Sequence, residues 1–98
     1  MRDPEIMREV KETLDLLVKR APGRAIEVRI PPYAAVQCGD GPTHTRGTPP
    51  NVIEMQADTW LALARGEKNW QESVAEGLIN ASGARADLSD FLPLRMGQ

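Results

Sequence analysis

One cysteine, one histidine and few aromatics (two Trp, one Tyr, one Phe) are all that this 98-residue chain holds of the side chains that most often carry chemistry. A single cysteine excludes an internal disulfide framework and points to a reducing compartment, the cytoplasm. Basic residues never form a run, and the net charge is −2. That balance argues against nonspecific nucleic-acid binding, which needs a dense Lys/Arg surface. No stretch approaches the ~18–20 apolar residues of a membrane span. The opening MRDPEIMREV is too charged for the apolar core of a signal peptide. Internal repeats and low-complexity segments are also missing.

What is present fits one small domain over residues 1–98 with a thin core. Hydrophobic residues at 41% and charged residues at 27% are ordinary for a folded chain. Asp3-Pro4 opens a first helix, because Asp is a favoured N-cap and Pro lacks only an N–H that the first turn would leave unpaired anyway. Ile6, Val10, Leu14 and Leu17 then recur at helical spacing, and Ala21-Pro22-Gly23 stops the pattern. Ala25 to Ile30 alternates strictly, so it reads as a strand with one wet face on which Glu27 and Arg29 lie together. Pro31-Pro32 interrupts the ladder, and Tyr33 to Cys38 resumes extended character. The spacing predicts two strands meeting at a turn, or one bent edge strand. Asn51 to Gln56 predicts another strand.

Ala57 to Arg65 predicts a helix ending at Gly66. Asn69 with Glu72 has the layout of a capping box and opens the next helix, which ends at Gly77. Leu78 to Ser82 is short and extended. Residues 84–92 predict a last helix, or a shorter one capped by Asp87 and limited by Pro93. Trp60 and Trp70 read as core anchors, and Asp87 and Asp90 as partners of a helix dipole. The order suggests an α+β domain, a mainly antiparallel sheet of about four to five strands with helices packed on one face.

Residues 39–51, GDGPTHTRGTPPN, concentrate His44, Arg46 and three threonines. A Cys38–His44 nucleophilic pair would need a third group to orient the imidazole, and Cys38 ends an apolar run, as a buried structural cysteine does. His44, Cys38 and Asp40 give at most three metal ligands with no matching motif elsewhere. Arg46 with Thr43, Thr45 and Thr48 has the donors for an anion, and Gly41 and Gly47 permit close backbone approach. Pairing of Arg46 with Glu54 explains the arginine equally well. No catalytic residue, metal or cofactor is expected.

The stretch NVIEMQADTWLALARGEKNWQESVAEGLINASG resembles the second half of the sterol carrier protein domain. The landmarks are Val52–Met55, Trp60-Leu61, Gly66, Val74–Gly77 and Ile79–Gly83. VRIPPYAAVQ, GPTHTRGTPPNV and ASGARADLSDFLPL are similar to a bacterial branch of that family, typical of actinobacteria. The resemblance runs from about Thr13 to Leu94, and relatives often carry an extra leading segment. It implies a curved, mainly antiparallel sheet under helices, with an apolar tunnel that takes acyl or sterol-like ligands in several members. It does not imply an enzyme.

An empty tunnel sits badly with so small a domain. A ~300 Å³ dry cavity costs roughly 7 kcal/mol at about 24 cal/mol per Å³, against ~5–10 kcal/mol of total stability. A ligand, a shallow groove or a closed core are the remaining forms. A groove, where one exists, would be lined by Val36, Ile53, Trp60, Leu63, Val74, Phe91 and Leu92, and His44, Thr45 and Arg46 at its mouth would hold a polar head. The plain alternative is that all seven apolar residues are core. The leading expectation is a non-catalytic carrier for a small apolar, lipid or acyl-like ligand, with no nucleic-acid partner. An interaction module with a collapsed core, and an accessory or enzymatic module using residues 39–51, are the alternatives.

Overall fold

The computed structural model describes residues 3–41 and 51–94. Helix α1 (Pro4–Arg20) starts where the sequence places it: the Asp3 carboxylate accepts from the N–H groups of Glu5 and Ile6. Val10, Thr13, Leu14 and Leu17 form its buried stripe. Lys19 and Arg20 close the last turn, beside the negative end of the helix dipole.

Strands β1 (Ile26–Ile30) and β2 (Ala34–Cys38) form an antiparallel hairpin, with Ile26 opposite Cys38 and Ile30 opposite Ala34. The prolines occupy the turn and not the ladder, and the Tyr33 N–H donates to the Ile30 carbonyl across it. Strand β3 (Asn51–Met55) lies on the other side of β1 and runs parallel to it. Strand β4 (Ile79–Ser82) pairs antiparallel with β3. The sheet order is β2-β1-β3-β4, so the sheet is mainly antiparallel, as expected, with one parallel pairing at its centre. That pairing follows from β2 taking one flank of β1, which leaves the other flank for β3.

The period of two divides the sheet into faces. Ile26, Val28, Ile30, Ile53 and Met55 point into the core, and Glu27, Arg29, Val52 and Glu54 alternate with them at half-buried positions of the other face. Helices α2 (Ala57–Arg65) and α3 (Trp70–Ala75) complete the layer over the core face. Trp60 is fully buried at its centre. Gly66 ends α2 with φ +80°, a left-handed value that glycine adopts without steric cost. Asn69 caps α3 by accepting from the Glu72 N–H.

Residues 84–92 do not form a full helix. Only a 3₁₀ turn (Ser89–Phe91) is present, and Asp87 accepts from the Ser89 N–H just before it. Neither sequence reading is realised as such: the segment is a single 3₁₀ turn with Leu88 at its N-cap, and Asp87 holds the Ser89 N–H without capping a helix.

Candidate ligand-binding site

Of the seven apolar residues expected to line a groove, six gather at the core: Ile53, Trp60 and Leu63 belong to it, and Val36, Phe91 and Leu92 pack against it. Ile53 and Trp60 are sealed in the core at zero exposure, and Leu63 is almost so. Val36 is half-buried on the edge strand β2, and Val74 on α3 is exposed. Leu63 and Leu92 both line an open cleft of about 720 Å³ between the α2–α3 turn and the 3₁₀ turn. The rest of that cleft is mainly polar, with Glu67, Lys68, Glu72, Glu76 and Asp90 on its walls. Phe91 faces a smaller cleft of about 320 Å³ with Arg85 and Asp87. His44, Thr45 and Arg46, the expected head-group contacts, lie outside the described residues.

A second large cleft, about 680 Å³, is more evenly divided between apolar and polar lining. Pro31, Pro32, Met55, Ala57 and Leu78 give it apolar walls, and Glu54, Gln56, Asp58 and Asn80 add polar groups. The topology explains the site. Strands β1 and β3 run parallel, so both deliver their carboxyl ends to the same edge of the sheet. The proline pair follows β1 there, and α2 starts there with Ala57. The α3–β4 connection brings Gly77 and Leu78 against them. Leu78, which lines this cleft, is 38% exposed.

Glu54 is set by register: it lies opposite Arg29 on β1 and Asn80 on β4. Arg29 pairs with Glu27 on its own strand, as their shared face suggested. The Glu27 carboxylate, through a hydrogen bond and through its charge, and then Glu54 raise the Arg29 guanidinium pKa above its ordinary value. Asp58 sits in the first turn of α2 and accepts from the Thr59 N–H. The N-cap of that helix, Gln56, makes no side-chain capping bond. From sequence, Pro31-Pro32 reads as a strand interruption or turn and Leu78 as the start of an extended segment, with no sign that they share a cleft. The local signal that marks them is an apolar pair beside a turn and a leucine just after a helix-ending glycine.

Little in the described residues suggests bond-breaking chemistry. Cys38 is fully buried, and burial pushes its thiol pKa up to about 11, away from the thiolate a nucleophile needs. No group of three His, Cys, Asp or Glu side chains among the described residues is arranged to hold a metal ion. Buried side-chain polar atoms among them all have partners. No helix among them is long and apolar enough to cross a membrane.

Residues 3–94 match the profile of a protein family described as bacterial SCP ortholog. The match covers nearly the whole chain, and the chain belongs to that family, a bacterial sterol-carrier-protein-like group. No curated protein matches the sequence.

Proposed function

We propose that this member of the bacterial SCP ortholog family is a non-catalytic carrier, holding a small lipid or acyl-like ligand in the cleft between Pro31 and Leu78. The cleft itself carries the reading. It offers about 680 Å³, within the ~300–1,000 Å³ usual for small-molecule sites. Its lining is divided about evenly between apolar side chains, which take a chain, and polar groups, which fix its orientation. Met55 and Ala57 are the floor, nearly closed to solvent, while Leu78 and the prolines stand out as rims. A ligand tail lying across them would cover Leu78, one of three large hydrophobic residues exposed among the described positions.

The open form of the cleft also meets the stability objection to a tunnel. A groove that water can fill does not carry the penalty of a dry internal void. Ligand burial then adds stability to a core that is already complete without it.

Denaturing extraction of the purified protein followed by mass spectrometry tests the reading, together with titration of the protein with dodecanol followed by amide chemical shifts. The expected result is a co-purified lipid or saturable dodecanol binding, with shifts concentrated at Met55, Ala57, Gly77 and Leu78. Absence of both overturns the proposal.

A further inference from the structure

The charged groups of this cleft are of one sign. Among the described residues, Glu54 and Asp58 are the only charged ones that line it, and both are carboxylates. They belong to different elements, β3 and α2, joined at Gln56, and both line the cleft. Neither has a described salt-bridge partner within contact distance: the ion pairs among the described residues are Arg29 with Glu27 and Arg65 with Glu9. Arg29 lies opposite Glu54 in the ladder, and its guanidinium is hydrogen-bonded to Glu27, so Glu54 feels that cation without pairing with it. Apolar residues line the same cleft, two of them, Met55 and Ala57, between these acids in sequence.

We propose that the cleft selects amphiphiles whose polar end is a protonated amine and discriminates against fatty carboxylates. This rests on the carrier reading above and names the ligand class of the same site. The physical basis is the pairing of two requirements. The walls formed by Pro31, Met55 and Leu78 take an apolar chain. Glu54 and Asp58 attract a cation and repel an anion placed at the polar end, and Asn80 and Gln56 supply neutral acceptors beside them. A partly exposed charge pair is worth ~0.2–1 kcal/mol. Exchanging attraction for repulsion at two carboxylates doubles the contrast at each, which amounts to about tenfold in affinity between amine and carboxylate.

The test compares dodecylamine, dodecanol and laurate, each below its micelle-forming concentration, by calorimetry at neutral pH with amide chemical shifts as the site readout. Dodecylamine is expected to bind about tenfold more tightly than laurate, with dodecanol between them. The contrast shrinks in high salt, as an electrostatic preference must. In the double variant Glu54→Gln, Asp58→Asn the three affinities converge, while circular dichroism shows the fold unchanged. Laurate binding as tightly as dodecylamine overturns the charge inference and leaves the carrier reading standing. Laurate binding that is lost in Arg46→Ala also overturns it, and assigns the head group to residues 44–46. A preference that survives the double variant places the selecting charge elsewhere and overturns the site. Binding of none of the three probes overturns the carrier reading itself.

Discussion

The indole N–H of Trp60 donates to the hydroxyl of Thr13 at 2.8 Å, joining α2 to α1 through the interior of the domain. Both residues are buried, and the Thr13 hydroxyl donates in turn to the Glu9 carbonyl at 2.7 Å, with the Val10 carbonyl also near at 3.0 Å. A buried indole thus has an acceptor, and a mid-helix threonine satisfies its own proton within the preceding turn. Thr13→Val keeps the shape and removes the acceptor. It is expected to cost about 1–3 kcal/mol, the penalty of an unpaired buried N–H. In a Trp60→Phe background, where no N–H remains, the same substitution is expected to cost much less. Urea denaturation of the four proteins in the cycle measures the coupling, and additive effects would deny the bond a role.

Asn51 stitches three segments. Its Nδ2 donates to the Ala25 carbonyl at 2.8 Å, and its Oδ1 accepts from the Arg85 N–H at 2.8 Å. Asn51 is 4% exposed and its bond to Ala25 is buried, whereas the bond to Arg85 is part-buried on an exposed residue that water can reach. Asn51→Ala leaves the buried Ala25 carbonyl unpaired, with an expected loss of about 1–3 kcal/mol. Hydrogen exchange gives the specific readout: the Arg85 amide should lose protection more than the amides of α1 do.

Much of this fold is legible in sequence because its signals are local. Asp3-Pro4 specifies the start of α1 through capping chemistry within four residues, and Gly66 specifies the end of α2. The alternation of Ile26, Val28 and Ile30 specifies which face of β1 is buried. The parallel neighbour of β1 is a different matter, since nothing in either strand records which of its edges will meet β3. The cleft is harder still. Its walls come from the β1–β2 turn, the β3–α2 junction and the α3–β4 connection, brought together only by strand order. Val74 shows the limit within a helix: α3 has six residues, too short for apolar spacing to decide which side meets the core. The reduction of residues 84–92 to a 3₁₀ turn has a local cause, because Asp87 satisfies the Ser89 N–H and Pro93 stands close behind.

Gly23 and Gly77 both have positive φ, +141° and +76°, but they differ in surroundings. A Cβ on Gly23 would lie 2.0 Å from the Gly39 carbonyl oxygen, a backbone atom that already accepts from the Ala25 N–H. A Cβ on Gly77 would meet nothing within 4 Å. Gly77→Ala is therefore expected to cost only the conformational penalty, about 1–2 kcal/mol. Gly23→Ala must also displace the start of the sheet, and is expected to cost more than about 3 kcal/mol or to prevent folding. Comparable losses for the two variants in thermal denaturation would contradict the packing argument.

Cys38 links stability to alkaline pH. Burial raises its thiol pKa from 9.0 to about 11 in the folded chain. The unfolded chain therefore loses the proton first, and the native state holds more protons between those values. Stability from this group is complete below about pH 9 and declines as pH rises to about 11, beyond which the contribution is gone. The expected outcome is a falling urea midpoint across that window, with a shallower fall in Cys38→Ala. The same burial predicts that a thiol reagent modifies the native protein only at the rate of its opening, and the unfolded protein at once.

Occupancy of the Pro31–Leu78 cleft should be visible as added stability, because a ligand that binds only the folded chain stabilises it by mass action. At a free concentration of about 100 times Kd the gain is ~2.7 kcal/mol. For a domain of this size that corresponds to a rise in Tm of roughly 10–20 °C. Dodecylamine is the probe of choice if the cleft prefers an amine. Leu78→Ser removes an apolar wall at an exposed site, so the unliganded protein should melt within a few degrees of the parent. The same change should reduce the ligand-induced rise, since the chain loses contact area worth about 25 cal/mol per Å². Leu16→Ser makes the matched control: Leu16 is 36% exposed on α1 and does not line the cleft. A ligand-induced shift equally reduced by both substitutions would mean that the probe coats exposed leucines at large. A shift reduced by Leu78→Ser alone assigns the binding to the carboxyl ends of β1 and β3.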